Sequence, residues 1–252
     1  MGAPESLPPV AILVGGFGTR LRSLTATAPK SMIEVAGKPF VAHQLELLVA
    51  QGFTNVVLCS GHFAEQIESF VGDGASFGCQ VRYSRDGELP KGTGGALKGA
   101  LRLLGERFLV MYGDSYLTAP LGPVYDAFLA ANRPALMTVF RNAGRWDASN
   151  VEFVDGQIRH YDKTNRTPAM LYIDYGLGVF EAGTILRYAD KNRDVFDLAD
   201  LYCNLARRGL LAGHEVHSRF FEIGSPTGLA EANNFLMCRR TAIAPVKSPA
   251  DC

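Results

Sequence analysis

A glycine-rich segment near the start of the chain constrains the fold most. Residues 13–21 read Leu-Val-Gly-Gly-Phe-Gly-Thr-Arg-Leu, and they continue a short apolar run at residues 10–14. Such a run predicts a buried strand. A strand that leads into glycines lets backbone N–H groups converge on an anion, because glycine lacks a Cβ and adopts φ > 0 easily. Arg20 and Lys30 add positive charge, so the segment predicts a polyphosphate site.

Two other glycine-rich phosphate loops do not match this segment. The dinucleotide-binding pattern requires a third glycine, and Leu21 occupies that position. The Walker loop ends in Gly-Lys followed by Ser or Thr, which residues 13–21 do not contain. The segment is therefore assigned to neither class.

Strand and helix signals alternate along the first half of the chain. Predicted strands lie at residues 10–14, 55–60, 80–84 and 108–112. Predicted helices lie at residues 40–50, 64–70 and 94–104. This alternation predicts an α/β fold with a doubly wound, mostly parallel sheet. Further on, we expect strands at residues 135–141, 151–154, 157–161, 172–180 and 215–223 and helices at 184–189, 198–207 and 226–237.

Charge and cysteine usage narrow the class of protein. The chain has 25 basic and 25 acidic side chains in 252 residues, so we expect no nucleic-acid partner. Five scattered cysteines without a Cys-x-x-Cys pair predict reduced thiols. The sequence contains neither a signal-peptide pattern nor an apolar run of about twenty residues. We therefore expect a cytoplasmic protein without a membrane partner.

The extended loop pattern resembles the signature of the sugar-1-phosphate nucleotidyltransferases, or nucleotide-sugar pyrophosphorylases. The pattern is Gly-Gly-x-Gly-Thr-Arg-Leu at residues 15–21, followed by Leu24-Thr25 and Pro29-Lys30. The resemblance covers residues 10–236 and implies a Rossmann-like, GT-A-like nucleotidyltransferase fold. It also implies that an NTP and a sugar 1-phosphate are converted to an NDP-sugar and pyrophosphate. No hexapeptide repeat is visible, so the left-handed β-helix domain of some members is not expected.

The resemblance implies one catalytic domain with two halves. Residues 10–134 would bind the nucleotide and residues 135–240 the sugar phosphate. Residues 1–9 and 241–252 carry prolines without an apolar pattern, so we expect a disordered N-terminal tail and a flexible C-terminal tail. The partners implied are the NTP and the sugar 1-phosphate, and a homodimer is compatible with the resemblance.

Residues of two loops would contact the nucleotide. Arg20 and Lys30 would be catalytic together with Asp114, by stabilising charge on the phosphates. The implied nucleotide contacts are Leu13, Gly15, Gly16, Gly18, Thr19, Glu88, Thr93 and Gly94. The last two belong to the Gly-Thr-Gly-Gly segment at residues 92–95. The alternative for that segment is an ordinary turn that starts a helix.

Two acidic residues are the candidate ligands for Mg²⁺. Asp114 follows a predicted buried strand, where ligand sites of open parallel sheets lie. A carboxylate beside a phosphate loop suits Mg²⁺, which prefers oxygen ligands shared with substrate phosphates. Glu222 precedes Ile-Gly-Ser-Pro, where the family usually has an aspartate, and would be a second ligand despite its extra methylene. The alternatives are a turn aspartate and a glutamate that hydrogen-bonds near the following helix.

The sugar-phosphate contacts are also implied by resemblance. Lys163 resembles the lysine of the family's Glu-Lys-Pro motif, although Asp162 and Thr164 replace its neighbours. The full implied set is Gly113, Lys163, Asp174 and Gly176. A solvated side chain is the alternative for Lys163. An acidic residue on an apolar strand needs partners when it is buried, which favours a binding role for Asp174.

Within the family, the heptose 1-phosphate guanylyltransferases look most similar. This implies GTP with a heptose or hexose 1-phosphate. A carboxylate accepts both N–H donors of the guanine edge, and Glu88 is the candidate reader, with Asp86 as a competitor. One alternative is a UTP- or dTTP-dependent transferase, such as an N-acetylmuramic acid 1-phosphate uridylyltransferase. The other is a catalytically silent regulator that binds nucleotide sugars, against which the presence of Arg20, Lys30 and Asp114 argues.

Overall fold

The computed structural model describes residues 7–16, 28–87, 89–145, 147–189 and 193–243, with side chains through residue 239. The strands in these ranges are β1 (Val10–Leu13), β2 (Glu34–Val35), β3 (Lys38–Pro39), β4 (Asn55–Ser60), β5 (Gln80–Arg85), β6 (Arg107–Tyr112), β7 (Ser115–Tyr116), β8 (Ala135–Phe140), β9 (Val151–Val154), β10 (Gln157–Tyr161), β11 (Ile173–Glu181), β12 (Leu211–Val216) and β13 (Phe221–Glu222). The helices are α1 (Phe40–Ala50), α2 (Ala64–Val71), α3 (Gly92–Leu104), α4 (Gly122–Ala131), α5 (Ala182–Tyr188), α6 (Leu198–Arg207) and α7 (Pro226–Ile243).

One nine-stranded sheet organises the fold, in the order β5-β4-β1-β6-β11-β8-β12-β10-β9. Strands β5, β4, β1 and β6 are parallel to one another. Strand β11 runs antiparallel to both β6 and β8, whereas β12 is parallel to β8. Strand β10 runs antiparallel to β12 and β9. Only β11 and β10 therefore run in the opposite direction to the other seven strands. This confirms the predicted mixed, largely parallel sheet.

Helices cover both faces of this sheet, as a doubly wound fold requires. Val10 and Ile12 of β1 join a core with apolar residues of α1, α2, α4 and α7. Ala11 and Leu13, which point to the other face, join a second core with residues of α3, α5 and α6. Strand β1 is buried along its whole length, which explains why its sequence is continuously apolar.

The structure differs from the sequence prediction in several places, of which the short strands β2, β3 and β7 are the smallest. Helix α4 was not predicted, although its buried Val124 and Phe128 have the i, i+4 spacing of a helix face. The strand expected at residues 215–223 is divided, because its second part becomes β13 and pairs with β7 outside the main sheet. Helix α7 continues to Ile243, beyond the helix end predicted at residue 237.

Part of the expected N-terminal tail packs on the sheet. Pro8 is buried, and the N–H of Leu109 donates to the C=O of Pro9 over 3.0 Å. The segment just before β1 is therefore fixed beside β6. Among the helices that the structure describes, none is long and apolar enough to cross a membrane.

Candidate active site

A cleft of about 230 Å³ lies at the edge of the sheet where the parallel strands β1, β4 and β6 end. Ligand sites of open parallel sheets lie at this edge, because the loops that follow the strands meet there. Seven residues of the predicted site line the cleft: Leu13, Gly15, Gly16, Lys30, Thr93, Gly113 and Asp114. Four predicted residues lie outside the described part of the chain: Gly18, Thr19, Arg20 and Glu88.

From the sequence, glycine in this loop is explained by positive φ angles. The two described glycines of the loop, Gly15 and Gly16, do not have positive φ angles. At Gly15 the cause is a close approach instead, because a Cβ there would lie 3.0 Å from the backbone N of Gly61. Gly16 is exposed and has no neighbouring heavy atom within 4 Å of such a Cβ. The start of the loop therefore packs against the segment that follows β4. The backbone of Gly16 is left exposed to the cleft.

Gly113 is also explained by a close approach of two chain segments. Its N–H donates to the C=O of Leu13 over 3.0 Å. A Cβ on Gly113 would lie 2.6 Å from that same oxygen. Glycine at this position thus lets the turn after β6 lie directly against the end of β1, which brings Asp114 to the cleft.

Lys30 and Asp114 form an ion pair on the wall of the cleft. The Nζ of Lys30 lies 2.7 Å from Oδ2 of Asp114, and the side chains are 15% and 34% exposed. Lys30 begins a short 3-10 helix after Pro29, whereas Asp114 lies in the turn between β6 and β7. The backbone holds Asp114 as well, because its C=O accepts from the N–H of Ile223 over 2.9 Å.

Glu222 lies beside this ion pair. The pairing of β13 with β7 places Glu222 opposite Ser115, the residue that follows Asp114. A Cβ on Gly224 would lie 3.4 Å from Nζ of Lys30 and 3.7 Å from Oε2 of Glu222, so both side chains border the same glycine. The structure therefore brings together two predicted metal ligands that are far apart in sequence.

The donor chemistry of Asp114 and Glu222 fits Mg²⁺. Within the described ranges, no group of three or more His, Cys, Asp or Glu side chains is arranged to hold a metal ion. Mg²⁺ commonly uses one or two carboxylates and takes its remaining ligands from water and substrate phosphates. Two partly exposed carboxylates on the paired strands β13 and β7 and the turn before β7 meet that requirement.

Lys163 lies near Tyr112, although it does not itself line the cleft. Its Nζ lies 5.9 Å from the centre of the Tyr112 ring, which lines the cleft. The same Nζ lies 3.7 Å from Oδ1 of Asp197, the residue that caps the N-terminus of α6 through the N–H of Ala199. Asp197 was not identified from the sequence, although an aspartate directly before a predicted helix is a recognisable cap.

Thr93 and Gly94 have structural roles at the start of α3. The Thr93 hydroxyl accepts from the N–H of Leu198 over 2.8 Å and donates to Asp197 over 3.1 Å. A Cβ on Gly94 would lie 2.2 Å from the ring of Phe196, and its N–H donates to the C=O of Phe196. Packing of residue 196 against α3 therefore accounts for glycine at position 94, and its nucleotide contact stays a prediction.

Asp174 and Gly176 lie on the irregular part of β11, where its register with β8 shifts. The Asp174 carboxylate accepts from the N–H of Gly176 over 2.9 Å and from the Tyr161 hydroxyl over 3.4 Å. Burial raises the pKa of Asp174, against the opposing effects of these hydrogen bonds and of the charge on Lys163. A Cβ on Gly176, whose φ is +87°, would lie 3.4 Å from the Tyr112 ring.

Tyr112 connects this group to the cleft. Its hydroxyl is buried and has no hydrogen-bond partner among the described residues. Burial, and next the charge of Asp174, hold the pKa of Tyr112 well above its usual range. Lys163, Asp174 and Gly176, which the resemblance assigns to the sugar phosphate, are therefore grouped around one tyrosine.

Asp86 is a second carboxylate in the lining of the cleft, directly after β5. Its Oδ2 accepts from the N–H of Lys91 over 3.2 Å, and its own N–H donates to the C=O of Ser60. Burial raises the pKa of Asp86, while the N–H and charge of Lys91 oppose that effect. Asp86 lines the cleft, so it is a described carboxylate in the region where the sequence predicted a base reader.

Comparison with known proteins identifies relatives of the whole described fold. The family model for nucleotidyl transferases matches residues 10–236. A mannose-1-phosphate guanylyltransferase of Mycobacterium tuberculosis is 33% identical over 205 residues, which are 77% of this chain and 56% of that protein. An N-acetylmuramate α-1-phosphate uridylyltransferase of Neisseria meningitidis is 41% identical over 104 residues, 41% of this chain and 45% of that protein. The chain thus spans less than two thirds of these relatives.

A solved structure with the same fold is that of HddC from Yersinia pseudotuberculosis, in complex with GMP-PN. It superposes with a TM-score of 0.76 and 24% sequence identity, over 91% of this chain and all of that chain. This similarity confirms the α/β fold predicted from the sequence.

Proposed function

This chain belongs to the nucleotidyl transferase family of enzymes, and on that premise we propose that it converts a sugar 1-phosphate and an NTP to an NDP-sugar and pyrophosphate. The observation that carries the proposal is the arrangement of the cleft. The glycine loop begins on one wall, and the Lys30–Asp114 ion pair lies on another. A polyphosphate in this cleft would contact both.

The chemistry requires positioning and charge stabilisation rather than a covalent enzyme intermediate. A phosphate oxygen of the sugar 1-phosphate attacks the α-phosphorus of the NTP, and the bond between the α- and β-phosphates breaks. The open backbone at Gly16 and the ammonium group of Lys30 would stabilise charge on the nucleotide phosphates. Lys163 would hold the attacking phosphate in line. Arg20 is included by resemblance, as a further cation at the departing pyrophosphate.

Asp114 and Glu222 would hold Mg²⁺ in this scheme. The ion supplies positive charge that neutralises the phosphate oxygens during transfer. Lys30 donates to Oδ2 of Asp114 and the Ser115 hydroxyl donates to Oδ1 over 3.5 Å, so both carboxylate oxygens already have a protein partner.

GTP is the proposed nucleotide. Guanine presents the N1–H and N2–H₂ donors on one edge, and a carboxylate accepts from both. Asp86 supplies a carboxylate in the cleft, and Glu88 is the second candidate for the same role. The similarity to a mannose-1-phosphate guanylyltransferase covers 77% of this chain, and it supports GTP. The similarity to a uridylyltransferase, which would support UTP, covers only 41%. The sugar 1-phosphate is proposed to be a hexose or heptose derivative.

A pyrophosphate-release assay tests the proposal. The full chain is incubated with Mg²⁺ and each of GTP, UTP, dTTP, CTP and ATP, in combination with a panel of sugar 1-phosphates. We expect pyrophosphate release that depends on both substrates. Absence of release with every pair, together with tight binding of an NDP-sugar in calorimetry, would instead identify a silent regulatory protein.

A further inference from the structure

A buried amide of α1 contacts both ends of the turn that carries Asp114. Gln44 is 0% exposed. Its Nε2 donates to the C=O of Tyr112 over 2.9 Å and to the C=O of Ser115 over 2.8 Å. An amide nitrogen has two N–H donors, so Gln44 uses both of them on the residues that flank this turn.

The chain leaves the main sheet at this turn, so the sheet by itself does not fix it. Strand β6 ends before the turn, and β7 begins after it and pairs with β13 instead. Backbone contacts hold the middle of the turn, because Gly113 donates to the C=O of Leu13 and Asp114 accepts from the N–H of Ile223. The carbonyl at each end is held by Gln44. The turn is therefore connected to β1, to the residue after β13 and to α1.

Helix α1 is a rigid support for this contact. Its Phe40, Leu45 and Leu48 are each 0% exposed and belong to the first core. At the C-terminal end of the helix, Oε1 of Gln51 accepts from the N–H of Leu121 over 2.7 Å. Helix α1 thus contacts the segment from residue 112 to residue 121 at two separate points.

The remaining polar atom of the amide shows what the side chain is for. Oε1 of Gln44 is buried and has no hydrogen-bond partner among the described residues. An unpaired buried oxygen lowers the stability of the folded state, and an apolar side chain of similar size would avoid that cost. The presence of an amide here is therefore explained by the two carbonyls that it holds.

We propose that Gln44 is a positioning residue of the active site, which fixes the turn and thereby the place of the Asp114 carboxylate relative to Lys30 and Glu222. The inference rests on the proposed function, in which Asp114 and Glu222 would hold Mg²⁺. Lys30 and Glu222 belong to other segments of the chain, so their distances to Asp114 depend on where the turn lies. A displacement of about 1 Å can lower a rate by about a hundredfold.

The first test is amide hydrogen exchange, measured without metal ion or substrate. Gln44→Met keeps the length of the side chain and removes both donors. The N–H groups of Gly113 and Ile223, which make the backbone contacts of the turn, should exchange at least about tenfold faster than in the wild type. Exchange in the centre of β8 should change less, which separates a local effect from global unfolding. Gln44→Leu replaces the methionine variant if that variant lacks a cooperative melting transition.

The second test is pyrophosphate release as a function of Mg²⁺ concentration. We expect kcat of Gln44→Met to fall by at least about tenfold, and the variant should need more Mg²⁺ for half-maximal rate. The matched control is Thr184→Val, which removes a buried hydroxyl that donates to the C=O of Pro134 over 2.9 Å and does not line the cleft. This control should leave the exchange at the turn, kcat and the Mg²⁺ dependence unchanged.

The outcomes separate this inference from the function on which it rests. Unchanged exchange at Gly113 and Ile223 in a folded Gln44 variant overturns the inference, whatever reaction the protein catalyses. Faster exchange with wild-type kcat and Mg²⁺ dependence also overturns it, as does an equal shift in Thr184→Val. If the wild type releases no pyrophosphate with any substrate pair, the proposed function fails, and the exchange measurement still decides whether Gln44 fixes the turn.

Discussion

The ammonium group of Lys30 lies 2.7 Å from a carboxylate oxygen of Asp114, although the two residues are 84 positions apart. This contact joins the segment that follows the glycine loop to the turn that follows β6. Both residues line the cleft in which we propose that the substrate phosphates bind. The charge and shape of Asp114 can be separated experimentally.

Asp114→Asn should lower turnover by at least about a hundredfold, because the amide keeps the shape and loses the charge needed for a metal ion. The ion pair itself is partly exposed and worth at most about 1 kcal/mol, so the melting temperature should change by no more than about 4 °C. The measurements are pyrophosphate release and thermal melting. Asp126→Asn, an exposed aspartate of α4, is the matched control. Near-normal turnover in Asp114→Asn would falsify the metal assignment.

Lys163→Ala should raise the KM for the sugar 1-phosphate much more than the KM for the NTP. A charged hydrogen bond contributes about 1.5–3 kcal/mol, so the expected change is roughly ten- to a hundredfold. The control is Arg159→Ala, which removes an exposed cation of β10 outside the cleft. If the KM for the sugar 1-phosphate does not change, Lys163 is a surface residue that pairs with Asp197.

Glu222→Gln should lower activity less completely than Asp114→Asn. The longer side chain can act on a metal ion through a water molecule, and a neutral amide retains part of that interaction. The informative measurement is the dependence of turnover on Mg²⁺ concentration, in which the variant should need more Mg²⁺ for half-maximal rate. An unchanged Mg²⁺ dependence at limiting Mg²⁺ would assign Glu222 to the structure of the β7–β13 pair.

Asp86→Asn should reduce the preference for GTP over UTP. The amide replaces one acceptor oxygen with a donor, which faces the donors of guanine and leaves polar groups unpaired. Values of kcat/KM for the five NTPs with one accepted sugar 1-phosphate measure this preference in the wild type and variant. Glu88→Gln is the companion variant, and a larger effect there would make Glu88 the base reader. A wild-type preference for UTP or dTTP would exclude the guanine assignment.

Asp174→Asn should stabilise the folded protein increasingly as the pH rises. Burial raises the pKa of Asp174, so the folded state favours the protonated form. The stability that comes from this preference is present below the unfolded pKa and is lost as the pH rises through the folded pKa. The difference in melting temperature between variant and wild type should therefore grow as the pH rises above the ordinary aspartate pKa of about 4. A difference that does not vary with pH would show that folding does not raise the pKa of Asp174.

Local sequence patterns predicted most of the framework. Helix α1 and strand β4 have the predicted boundaries, because apolar spacing and flanking glycines are encoded in neighbouring residues. The position of Asp114 after a buried strand could be deduced in the same way. Helix α4 was missed, although its Pro123 and the buried pair Val124 and Phe128 were visible.

The reasons for particular glycines were less predictable. Glycine at positions 15 and 113 was attributed to phosphate and sugar contacts, whereas both positions also allow backbone segments to touch. Gly94 is required by the ring of Phe196, which lies about a hundred residues further along the chain. Such contacts depend on which loops meet at the edge of the sheet. Patterns of neighbouring residues in the sequence do not predict them.

The sequence by itself determined the class of this protein: an α/β fold, a glycine-rich loop after its first strand and a family signature that extends to Lys30. Only the tertiary structure decided that Glu222 lies beside Asp114 and that Lys163 meets Asp197. The physical reason is the distance along the sequence between the residues that interact. Strand and loop signals depend on residues a few positions apart, whereas these contacts require β13 to pair with β7 and α6 to pack beside β10.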